Sequence, residues 1–167
     1  MSWVYDDGGR QAAGYKGTAG DCVVRSIAIA IGAPYQQVYD ELFECNKKYA
    51  WSCRDQYALM LRKIGCSPRD GVYRWVYEPY LQTKGWLWTP TMFVGGGCKV
   101  HLRSDELPSG NLVCALSKHM CAVIDGVVHD CYDPSRDGSR CVYGYFSSPL
   151  NTLNGTLKAW RSVVIDD

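Results

Sequence analysis

The chain predicts an α+β fold, with N-terminal helices packed on a C-terminal antiparallel sheet. Two observations lead there. Apolar residues recur at helical spacing from Val23 to about Ile64, and after Gly85 the spacing shortens to two, with turn residues between short runs. Helices first and strands afterwards is the α+β order. A length of 167 residues suits one domain spanning 1–167. A chain of this size buries roughly 70% of its unfolded surface without staples.

Residues 1–20 are polar and Gly-rich, which reads as an extended or looping arm. Asp21 is a good N-cap type for the helix that follows. From Val23 to Ile31 apolar residues lie on nearly every face, broken by Arg25 and Ser26, which marks a central helix. Gly32 ends it and Pro34 begins a second, amphipathic helix with Val38, Leu42 and Cys45 on one face. A third runs from Arg54 to Ile64. A short fourth falls between Val76 and Lys84, with Pro79 inside it. Trp86–Thr89, Thr91–Val94, Asn111–Leu116, His119–Ile124, Val127–Tyr132, Cys141–Phe146 and Ala159–Val164 read as strands. Asp125-Gly126 is a two-residue hairpin turn.

Net charge is +1 and charged residues make up 21%, so there is no global field for nucleic acid. The N-terminus lacks the apolar stretch of a secretory signal and no run is long enough to span a membrane, so the expected location is the cytoplasm. The nine cysteines include no CxxC pair, which argues against structural zinc. They read as mostly reduced thiols, several of them acting as small hydrophobes. No cofactor and no metal are expected.

Chemistry concentrates in two segments, Gly20-Asp21-Cys22 and Lys118-His119…Asp125-Gly126-Val127-Val128-His129-Asp130. A helix N-terminus stabilises a thiolate and presents free amides to an oxyanion. Cys22 occupies such a position. The turn sets a register in which facing residues sum to 251, which puts Asp130 on the same face as His119 and sends Asp133 and His129 to the other. His119 is expected at the sheet edge. The set Cys22, His119 and Asp130 therefore reads as nucleophile, base and orienting carboxylate. The aromatic run from Tyr73 to Trp88 reads mostly as packing, with Trp88 a candidate cleft residue.

These two segments resemble the papain-like cysteine hydrolases, in which the cysteine opens the central helix and the histidine and Asn/Asp come from adjacent strands. The chain is also similar to uncharacterised phage and bacterial proteins carrying Gly-Asp-Cys-Val-Val-Arg and Ala-Val-Ile-Asp-Gly-Val-Val-His-Asp. The resemblance implies a Cys22–His119–Asp130 triad acting on an amide or thioester bond of a protein or peptide-like substrate, in a host cytoplasm if phage-encoded. Papain-like proteases usually carry a Gln before the cysteine as oxyanion donor. Here Lys16 holds the sixth position before Cys22, with Thr18 nearer. Lys16, Thr18 and Asp21 are the oxyanion or substrate-binding candidates, although Asp21 cannot donate while ionised. The competing reading is a catalytically silent module of the same fold that engages a host protein or nucleotide. Neither reading specifies an oligomeric state.

Overall fold

The computed structural model describes residues 1–148. It is α+β. Strand β1 (Ser2–Tyr5) precedes helices α1 (Cys22–Ile31), α2 (Tyr35–Ser52), α3 (Gln56–Lys63) and α4 (Arg74–Thr83), with one 3-10 turn at Pro68–Asp70. Strands β2 (Leu87–Pro90), β3 (Asn111–Leu116), β4 (His119–Ile124), β5 (Val127–Asp130) and β6 (Gly144–Ser147) follow. They form one six-stranded mixed sheet in the order β1-β5-β4-β3-β6-β2. Only β1 runs parallel to its neighbour, β5. The expected strand at Ala159–Val164 lies outside the described residues.

The sheet separates two apolar layers. On one face Val113, Met120, Ala122 and Phe146 pack against Val24, Ile27 and Ala28 of α1, Val38 and Leu42 of α2, and Leu81 of α4. On the other, Leu112, Cys114, Cys121, Val123 and Val128 are covered by Leu102, Leu107 and Val142. Each fully buried Val, Leu or Ile contributes roughly 1.5–3 kcal/mol, and this pins α1 to the centre of the sheet. Arg25 and Ser26 are buried with it rather than breaking its face.

Several expectations change. The N-terminal arm begins as a strand: Ser2 to Tyr5 pair with Val127 to Asp130. Its exposed side chains hid it from a burial-based reading. Asp21 makes no side-chain cap to α1, because its carboxylate is bonded to Arg25 and Tyr35 instead. Asp55 does cap α3, accepting from the amides of Tyr57 and Ala58 at 2.9 Å each. Helix α4 runs through Pro79 because burial of Val76, Tyr77, Tyr80 and Leu81 outweighs one lost backbone bond. Thr91–Val94 is not a strand. Thr91 still donates its amide to the Tyr143 carbonyl, but the chain then turns at Phe93, where the Gly96 amide donates to the Phe93 carbonyl. Cys141 makes only an isolated bridge to His101, so β6 begins at Gly144. Cys98 and Cys141 form a disulfide, a pairing the sequence did not point to, and the other seven cysteines are free.

Gly144 has a specific reason to be glycine. A Cβ there would lie 2.3 Å from Trp88 Cζ2 and 2.7 Å from the Thr89 carbonyl oxygen, at φ +158°. The ring of Trp88 closes over it and against Phe146 at 4.8 Å. We expect Gly144→Ala to destabilise the fold by about 2–3 kcal/mol through overpacking. A shift of the urea midpoint checks this, and an unchanged midpoint would mean that Trp88 moves freely.

Among the described residues, no helix is long and apolar enough to cross a membrane.

Candidate active site

Cys22 is the first residue of α1, and the first backbone bond of that helix is Arg25 N–H to the Asp21 carbonyl at 3.0 Å. The amides of Cys22, Val23 and Val24 therefore precede the intrahelical ladder and remain available as donors. Gly20 brings the chain close to the 3-10 turn, where a Cβ would sit 3.3 Å from the Arg69 carbonyl oxygen.

The hairpin follows the expected register: Ile124 faces Val127, Val123 faces Val128, and Ala122 faces His129. Pairing stops there. His119 and Asp130 lie beyond the β4–β5 ladder, at its open end. Alternation alone would turn both toward the layer of Cys121 and Val123. Their side chains nonetheless meet α1: Asp130 bonds to Arg25, and His119 shares a cavity with Cys22. His119 is not on an edge strand, since β4 is interior to the sheet. Its side chain is 8% exposed.

His119 Nε2 and Asp130 Oδ2 are 2.5 Å apart. Cys22 shares the cavity wall with the imidazole and adds to its hold on a proton. With Nε2 held by Asp130, Nδ1 is the nitrogen left for the thiol. Tyr132 lies against the imidazole, ring centroids 5.0 Å apart, on the outer side of the pair. The cavity holding Cys22 and His119 has a volume of 470 Å³, with Gly20, Tyr73, Tyr77 and Lys118 in its wall.

Behind the site runs a buried chain of charges. Arg25 Nη1 donates to Asp130 Oδ1 at 2.6 Å, and Arg25 Nε donates to Asp21 Oδ1 at 3.0 Å. Tyr35 Oη donates to Asp21 Oδ2 at 2.8 Å, and Arg10 approaches Asp21 at 3.5 Å. Asp130 Oδ1 also accepts from the Cys131 amide at 2.7 Å. The N-terminal strand joins in, because Trp3 Nε1 and the Asp6 amide both donate to the Asp130 carbonyl. Two donors on Oδ1 and His119 on Oδ2 thus fix the carboxylate under the imidazole.

The titration behaviour follows from these contacts. Burial opposes charge on His119, but the Asp130 carboxylate and Cys22 outweigh it and raise the imidazole to about 9. Burial likewise favours neutral Asp130, yet His119 and Arg25 hold it below its ordinary value. Burial opposes the Arg25 charge, and Asp130 and Asp21 more than offset it. The folded state therefore binds a proton on His119 more tightly than the unfolded chain does. The stabilisation is complete below pH 6.5 and is lost as pH rises through about 9. About 3 kcal/mol is at stake for a shift of that size in a buried group. We expect the urea-derived stability to fall between pH 6 and 9.5 in the native protein. His119→Gln should flatten that slope, and an unaltered slope in the variant would contradict the assignment.

The remaining sequence candidates fall away from the cavity wall. Lys16 is exposed, and its backbone carbonyl accepts from Arg69 Nη2 at 3.0 Å. Thr18 is exposed and does not line the cavity. Asp21 is fully buried in ion pairs and has no face toward the cavity. Trp88 packs under the Arg74 guanidinium at 4.2 Å and walls a neighbouring hollow of 510 Å³. The free amides at the start of α1, that of Cys22 first, are the donors left that could meet an oxyanion beside the thiol. His129 binds Asp6 at 3.0 Å, away from His119, and Asp133 caps the Ser135 amide in a turn. Among the described residues, no cluster of three or more His, Cys, Asp or Glu could hold a metal ion.

Arg25, Tyr35 and Tyr132 were not singled out from the sequence as site residues, whereas Tyr73 and Tyr77 of the aromatic run do wall the cavity. The Asp21–Arg25 spacing of four was the available signal, since charges at that spacing share a helix face. No family model matches the chain, and no curated protein and no solved structure matches it.

Proposed function

We propose that the chain is a papain-like cysteine hydrolase or acyl-transfer enzyme that acts on an amide or thioester bond of a protein or peptide-like substrate. The observation that carries this reading is the series Cys22, His119, Asp130, with the carboxylate bonded to one ring nitrogen and the thiol beside the ring. A cysteine at the start of a buried helix, facing a histidine on a central strand, further supports the papain-like assignment.

In the first step, with the Cys22 proton already resting on His119, Cys22 Sγ bonds to the carbonyl carbon as the carbonyl π pair moves onto oxygen. The developing oxyanion lies against the Cys22 amide. His119 then returns the proton to the departing amine or thiol, leaving an acyl group on sulfur. Water, or another acceptor, attacks the thioester while His119 takes its proton, and the thiol is regenerated. Asp130 keeps the imidazole oriented and favours its cationic form.

The test is acyl-enzyme formation with 4-nitrophenyl acetate, read by mass spectrometry. The native protein should carry one acetyl group on Cys22 and turn it over. Cys22→Ala should carry none, and His119→Ala should acylate about 10²–10⁴-fold more slowly. Equal acetylation of the native protein and His119→Ala would defeat the proposal. A biological effect that survives Cys22→Ala would instead favour a silent binding module.

A further inference from the structure

Four aromatic rings meet at the surface where α2, α3 and α4 converge. Trp75 packs on Tyr57 with centroids 4.4 Å apart, on Tyr73 at 4.9 Å with planes within 9°, and near Tyr49 at 6.1 Å. Beside them opens a hollow of 450 Å³ walled by Tyr49, Asp55, Gln56, Tyr57 and Trp75. Trp75 is 40% exposed. The mechanism above uses none of Tyr49, Asp55, Tyr57 and Trp75.

Two features give the hollow a sign. Asp55 is oriented by three hydrogen bonds, from the amides of Tyr57 and Ala58 and from Tyr49 Oη at 2.6 Å. These bonds, that from Tyr49 foremost, lower its carboxyl below the ordinary range. Among the described residues it has no salt-bridge partner. The rings also lack a cation. Phe43, Trp51, Tyr15, Trp88 and Tyr80 each carry a lysine or arginine over the ring, whereas none of the four clustered rings does among the described residues. Lys48 lines an adjoining hollow that shares Tyr49 and Trp75 but not Asp55 or Tyr57, and it sits over none of the four rings.

We propose that the Tyr49–Asp55–Tyr57–Trp75 hollow binds an organic cation, an alkylammonium group such as a lysine side chain or its methylated forms. Ring faces attract such a group through their quadrupole, and the carboxylate adds charge without enclosing it. Tyr73 links this hollow to the catalytic cavity, because it stacks on Trp75 and also walls the cavity of Cys22. A cation held here would belong to a substrate or partner segment near the cleft. The binding itself does not depend on Cys22 chemistry.

The test is an NMR titration of the intact ¹⁵N-labelled protein, following the Trp75 indole N–H assigned through Trp75→Phe. Tetramethylammonium chloride, Nα-acetyl-lysine amide and Nα-acetyl-glutamate amide are compared with sodium chloride at equal ionic strength. Saturable shifts in the millimolar range are expected for the two cations and none for the glutamate amide. Tighter binding of the lysine amide would point to a peptide side chain, and of tetramethylammonium to a methylated ammonium. Asp55→Asn keeps an N-cap while removing the charge, and should weaken binding about five-fold, typical of one surface charge. Trp75→Leu should abolish it. Shifts that merely follow sodium chloride, or saturable binding that survives both substitutions, would overturn the proposal.

Discussion

Arg25→Leu is expected to destabilise the protein by about 3–5 kcal/mol, the cost of leaving buried carboxylates without their cation. Arg25 touches Asp21 and Asp130 at once, and both are essentially inaccessible to solvent. Arg10 remains near Asp21 at 3.5 Å, but among the described residues no other arginine or lysine reaches Asp130. Urea unfolding at pH 7 measures the loss. Adding Asp130→Asn to Arg25→Leu should restore part of it, because the orphaned charge is then gone. If the double variant is less stable than Arg25→Leu by the full cost of a second independent substitution, the two groups are not coupled as described.

The second large effect concerns reactivity. His119→Ala should slow alkylation of Cys22 by iodoacetamide at pH 6 at least about ten-fold, since a cationic imidazole beside a thiol favours the reactive thiolate. Asp130→Asn should produce a smaller loss and lower the pH at which the imidazole gives up its proton, moving it from about 9 toward the ordinary value of 6.5. The direction follows from removing a carboxylate whose hydrogen bond and charge both raise the imidazole. The measurement is the pH profile of alkylation for the native protein and the two variants. An identical alkaline limb in Asp130→Asn would mean that Asp130 does not set the titration of His119.

The legible parts of the fold were those governed by local periodicity. The run Val23–Ile31, the amphipathic face of Val38 and Leu42, and the turn at Asp125-Gly126 each carry their own signal. Both central turn residues adopt positive φ, 46° and 79°, as a two-residue hairpin of this kind requires. That turn fixed the register from which Asp130 was paired with His119. Parity carried the pairing but not its direction. The two side chains meet α1, beyond the last paired residues of the β4–β5 ladder, and that meeting depends on tertiary contacts.

Non-local partners were the part that could not be read. β1 forms a strand through parallel pairing with residues some 125 positions away, and its own side chains are exposed. The Cys98–Cys141 bridge likewise depends on how two loops meet. Asp21 looked like a cap because capping is the local use of such a residue. Its actual partners, Arg25 and Tyr35, assemble only when α1 and α2 pack. Lys16, Thr18, Asp21 and Trp88 do not line the cavity of Cys22, which leaves the backbone amides at the start of α1 nearest the thiol.

The most direct measurement is the rate of iodoacetamide labelling of each free cysteine at pH 6, resolved by peptide mass spectrometry. Cys53 is the reference, being free and partly exposed like Cys22. Cys22 should label at least about ten-fold faster than Cys53, and His119→Ala should erase that advantage. Equal rates in the native protein, or an advantage that persists without His119, would contradict a thiol activated by the His119–Asp130 pair.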